Sequence, residues 1–82
     1  MSLQVRYFAA AREAAGCPEE VWADENGTTV ADLVVRLGAR HGEPLTTVLA
    51  RCSFLVDGQR AGPGAVVPGG AVVDVLPPFA GG

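Results

Sequence analysis

"TTVADLVVRLGARHG", Thr28 to Gly42, is the stretch whose reading decides the fold. Val30, Leu33, Val34 and Leu37 recur at i, i+3, i+4 and i+7, which lays one apolar stripe along a helix. Thr29 is placed to cap that helix, with Asp32 three residues on in the position of a capping-box acid. Arg36, Arg40 and His41 crowd the far end, where the helix dipole favours cations, and Gly42 ends it. His41 has no acid or nucleophile near it in sequence, so it reads as a surface helix-end histidine. Gly38, inside the pattern, costs roughly 1 kcal/mol relative to alanine.

The flanking segments supply strands for this helix to cover. "LQVRYF" (Leu3 to Phe8) alternates, with Leu3, Val5 and Tyr7 on one face and Gln4, Arg6 and Phe8 on the other. "AAAREAAG" (Ala9 to Gly16) is alanine-rich and stops at glycine, the pattern of a short helix with its C-terminal stop. "EEVWADE" (Glu19 to Glu25) reads as a second strand. "PLTTVLAR" is compatible with one or two helical turns. "SFLVDGQRA" is a hairpin turning at Asp57-Gly58, and "GPGAVVPGG" holds at most a short extended piece. "AVVDVLP" is the last strand, with Ala71, Val73 and Val75 on one face and Val72, Asp74 and Leu76 on the other.

This order implies an α+β domain: a small mixed sheet with one main amphipathic helix packed on one face. The other face stays open. It would carry Gln4, Arg6, Phe8, Leu55, Val72 and Leu76, enough apolar surface among polar groups to be a candidate partner patch.

Composition narrows the function classes. The chain has 82 residues, which is one domain with little room for an enclosed active site. A net charge of −3, with nine acidic residues against six arginines, argues against a nucleic-acid surface. There is no lysine, so lysine Schiff-base chemistry is excluded. No apolar run approaches the roughly 18 residues of a membrane span. The opening "MSLQVRYF" lacks a signal-peptide layout, which makes the cytoplasm the expected location. Cys17 and Cys52 stand far apart without a CxxC or a histidine pair, so no metal site is expected and both read as structural.

"VRYFAAAREAAG", "TTVADLVVRL", "VDGQ" and "VPGGAVVDVLPPFAGG" together resemble the MoaD and ThiS family of ubiquitin-like sulfur carriers. Within it they are most similar to the small subunits of molybdopterin synthase. The resemblance runs in order along nearly the whole chain, and "LPPFAGG" is its most specific part. It implies a β-grasp fold over residues 1–76 and a flexible tail over 77–82. It implies that Gly82 carries the sulfur and that Gly81 is its companion in the motif. The terminal carboxylate would be adenylated with ATP by a ubiquitin-activating-type enzyme, then converted to a thiocarboxylate with sulfur from a donor. The chain would thus be a non-catalytic subunit, binding no cofactor tightly itself. Its tail would enter the large subunit, in a heterotetramer of two small and two large subunits. There the sulfur would pass to cyclic pyranopterin monophosphate, building the dithiolene of molybdopterin. The competing readings are a carrier for cysteine or thiamine synthesis, and a ubiquitin-like modifier or interaction module.

The tail suits that chemistry. A carboxylate is a poor electrophile, and adenylation supplies a leaving group, splitting one hard step into two. Glycine lets the walls of a narrow channel approach the backbone closely. From Pro77 to Gly82 the extended chain reaches at most about 20 Å. Ordering a free tail costs about 1–2 kcal/mol per residue. Pro77 and Pro78 reduce this because φ is already fixed near −65°. Phe79 would act as an apolar anchor at the channel mouth, leaving Ala80, Gly81 and Gly82 free.

Overall fold

The computed structural model describes residues 2–23 and 27–78. The chain runs β1 (Ser2–Tyr7), α1 (Ala9–Ala15), β2 (Glu19–Ala23), β3 (Thr28–Thr29), α2 (Val30–His41), α3 (Glu43–Leu49), β4 (Ser53–Val56), β5 (Gln59–Ala61), β6 (Val66–Val67) and β7 (Val72–Leu76). Five strands form one sheet in the order β2-β1-β7-β4-β5, and β3 pairs with β6 separately. The first and last strands are parallel neighbours at its centre, while the other pairs are antiparallel. This is the mixed α+β sheet expected from the element order.

Local chemistry explains the boundaries. The Thr29 hydroxyl accepts from the Asp32 N–H at 3.2 Å and caps α2. Gly16 closes α1 in the left-handed region at φ 78°, a conformation glycine adopts freely. Asp57 and Gly58 both have positive φ, 50° and 82°, which is the demand of the tightest hairpin turn. The same Asp57 accepts from the Val72 N–H through its carboxylate at 2.9 Å, tying this turn to the start of β7.

The core lies between the sheet and the helices. Leu3, Val5, Tyr7, Val73 and Val75 point inward from β1 and β7, and meet Leu33 and Leu37 of α2 and Leu45 and Leu49 of α3. All are buried. A stripe of Val30, Leu33 and Leu37 is buried as its spacing requires, and Val34 flanks it half-buried. Gly38 has a tertiary reason for being there. A Cβ added to it would stand 2.6 Å from the Thr46 hydroxyl, so α3 could not pack this closely on α2. Among the described residues, no helix is long and apolar enough to cross a membrane.

Two expectations need correction. Phe8 is not the last residue of an alternating strand: β1 ends at Tyr7, and Phe8 is the N-cap of α1. His41 is not a surface residue. Its side chain is only 15% exposed and lies 2.9 Å from the Glu20 carboxylate, because α2 brings its last turn over the inward face of β2.

Candidate docking surface at the root of the tail

β7 delivers the chain to one end of the sheet. Tyr7 of β1 pairs with Val75, and Ser53 of β4 pairs with Leu76, so both neighbours stop where β7 stops. Pro77 follows half-buried and Pro78 exposed. Neither has an N–H to extend the ladder. Phe79, Ala80, Gly81 and Gly82, the remaining expected site residues, lie outside the described residues.

Beside this exit is a shallow depression of about 330 Å³, bordered by Arg51, Ser53, Leu55, Arg60, Leu76, Pro77 and Pro78. Four of the expected partner-binding residues, Leu55, Leu76, Pro77 and Pro78, are therefore brought together. Leu55 faces Asp74 across the β4–β7 ladder, which puts it diagonal to Leu76 on the open face. Phe8 does not border the depression. It stands at the same sheet end on the opposite flank of β7, where its N–H donates to the Val75 carbonyl at 3.3 Å.

Phe8 is at odds with its own local structure. N-caps favour Ser, Thr, Asp or Asn, whose oxygens bond the free N–H groups of the first turn. Phe8 makes no side-chain cap bond and remains 41% exposed. Its ring is therefore left accessible at this end of the sheet.

The middle of the open face is less open than the strand pattern implies. Arg6 donates to Asp74 through Nε at 2.5 Å and through its terminal nitrogen at 2.9 Å. Asp74 is buried, while Arg6 lies over it half in solvent. Hydrogen bonding to Asp74 and its charge push the Arg6 pKa up. This pair was missed from the sequence, although both residues were placed on that face. The missing signal was the parallel register, which sets Arg6 opposite Asp74.

A second polar cluster lies on the helix side of the sheet. Glu20 accepts from the Tyr7 hydroxyl at 2.9 Å, from the Trp22 indole N–H and from His41 Nε2. Arg36 and Arg40 then stack on the Trp22 ring at 5.1 and 4.6 Å. Burial pushes the Glu20 carboxyl up, but the hydrogen bonds from His41, Trp22 and Tyr7 outweigh it and hold the pKa below the ordinary value. Burial, then the hydrogen bond and charge of Glu20, push the Tyr7 hydroxyl up. The Cys17 thiol is pushed up by burial and by Glu20, and the Cys52 thiol by burial. Such thiols are poor nucleophiles. This cluster holds β1, β2 and α2 together and offers no reactive group.

A profile of the ThiS family matches residues 5–82. The molybdopterin synthase sulfur carrier subunit of Chlamydomonas reinhardtii is 31% identical over 84 aligned positions, covering all of both chains. A solved structure from Pyrococcus furiosus, provisionally assigned as molybdopterin converting factor subunit 1, superimposes with TM-score 0.83 at 29% identity, covering 96% of this chain and 99% of that one. Small archaeal modifier protein 1 of Haloferax volcanii superimposes with TM-score 0.82 at 24% identity over all of both chains, a likeness of fold alone.

Proposed function

The chain belongs to the ThiS family, and from that premise we propose that it is a sulfur carrier acting as the small subunit of a molybdopterin synthase. The observation that carries this reading is the full-length similarity to the Chlamydomonas sulfur carrier subunit. The surface at the tail root supports it.

In this reading residues 1–76 are the folded carrier and 77–82 the delivery arm. The Gly82 carboxylate attacks ATP in an adenylating partner enzyme, forming an acyl adenylate and releasing pyrophosphate. Hydrosulfide released by a sulfur donor then attacks the acyl carbon, the acyl–phosphate bond breaks and AMP leaves, giving the thiocarboxylate and a proton. The arm next enters the large subunit, where sulfur passes to cyclic pyranopterin monophosphate. Gly81 keeps the arm thin at the reacting end, and Ala80 adds little more. Two copies of this chain with two large subunits make the working assembly.

The chain's own part is positioning. Pro77 and Pro78 turn the exit away from the ladder and lower the entropy lost when the arm is ordered. Leu55 and Leu76 offer an apolar strip beside the exit, Phe8 an aromatic side chain on the other flank, and Phe79 an anchor at the channel mouth. Half-exposed apolar groups around a polar rim are what a partner can desolvate on docking.

The test is reconstitution. The thiocarboxylate form, mixed with the large subunit and the pterin precursor, should yield the dithiolene product. A folded complex that leaves the precursor unconverted would refute the molybdopterin assignment and point to cysteine or thiamine synthesis.

A further inference from the structure

Arg51 and Arg60 border the depression at the tail root, and both are exposed. Arg60 lies on β5 opposite Leu55, and Arg51 lies just before β4. Among the described residues neither has an ion-pair partner. Among the described residues, none that borders the depression is acidic. The nearby carboxylate on this face, Asp74, is already held by two hydrogen bonds from Arg6. Two arginines without an ion-pair partner among the described residues therefore flank the exit on its β4–β5 side, although the whole chain carries −3.

We propose that Arg51 and Arg60 form a basic rim that recognises carboxylate side chains around the tail entrance of the large subunit. The proposal rests on the sulfur-carrier reading and names the chemistry of its partner surface. Guanidinium groups match carboxylates as planar forks, which favours this pairing at an interface. A phosphate at the reacting end is a poorer match for the position. Residues 79–82, when extended, carry the terminal carboxylate up to about 14 Å beyond Pro78. The groups that meet the rim are then those at the channel mouth, not a nucleotide at its end. Charges of this kind act chiefly on the rate of encounter, guiding the apolar strip of Leu55, Leu76 and Pro77 into register.

The experiment compares association rates of the full chain and its variants with the large subunit, at low and high ionic strength. Arg51→Glu with Arg60→Glu should slow association about tenfold or more at low salt. The difference should shrink to about twofold near 1 M salt, where the screening length is about 3 Å. Arg51→Lys with Arg60→Lys should retain most of the rate, and Arg51→Gln with Arg60→Gln should fall between. Melting temperatures should stay together, and should the double Glu variant fold poorly, the Gln pair carries the test. Association of the folded charge-altered variants at the native rate, with native salt dependence, would overturn the rim. So would saturable binding of ATP to the isolated chain at these two arginines, read by chemical shifts. If the unmodified chain does not bind the large subunit at all, the molybdopterin synthase reading falls and the rim with it, while a rim failure alone leaves that binding intact.

Discussion

Glu20 receives hydrogen bonds from Tyr7, Trp22 and His41, groups supplied by β1, β2 and α2, whereas Arg51 and Arg60 face no carboxylate among the described residues. Both regions are partly polar and both lie near sheet edges. One closes its polar groups on each other; the other leaves charge and half-buried leucines beside the point where the chain departs. A buried acceptor without donors is costly, so the first region has to be satisfied internally. The second needs no such closure because solvent reaches its polar groups. The contrast separates residues that hold the fold from residues that the proposed docking would use.

The sharpest way to break this contrast is at the end of the tail. Deleting Gly82 should abolish sulfur transfer while leaving the melting temperature unchanged. A large drop in thermal stability would show that the tail packs on the domain and belongs with the first region.

Phe8→Asp comes next in size. An aspartate at this N-cap should bond the free N–H groups of α1 and add about 0.5–1 kcal/mol of stability. Affinity for the large subunit should nevertheless fall about thirtyfold, as for loss of an apolar anchor. Calorimetry of folding and of binding would read the two effects separately. Unchanged affinity would remove Phe8 from the docking surface.

Glu20→Gln should do the reverse. It keeps the shape but weakens the acceptor for Tyr7, Trp22 and His41, at a cost of about 1–3 kcal/mol by chemical denaturation. Partner affinity of the folded fraction should be unaffected. A smaller effect of the same origin is pH dependence. The Glu20 pKa is lowered in the folded state from its ordinary 4.5, so the unfolded chain takes up the proton first as pH falls. Its contribution is present above that ordinary value and is lost as pH drops through the folded one. Acid melts of the native chain should therefore steepen below about pH 4.5, and those of Glu20→Gln should lack this component.

The same contrast explains what could be read from the sequence. Thr29 as a cap, Gly16 as a stop, the stripe of Val30, Leu33 and Leu37, and the Asp57-Gly58 turn act within a few residues, and all were legible. Arg6 and Asp74 stand 68 positions apart, and Glu20 and His41 stand 21 apart. Their pairing depends on strand register and on where a helix end comes to rest, which periodicity does not encode. Arg51 and Arg60 likewise become neighbours of the tail only through the β4–β5 hairpin. The "PPFAGG" tail was legible as a motif, while the surface from which it leaves required the fold.

The central claim is that Gly82 carries sulfur as a thiocarboxylate. Intact-mass spectrometry of the chain, co-expressed with its adenylating enzyme and a sulfur source, tests it most directly. The account predicts a species heavier by one oxygen-to-sulfur exchange, absent when Gly82 is deleted. An unchanged mass under those conditions, or a conjugate to a target lysine in its place, would contradict it.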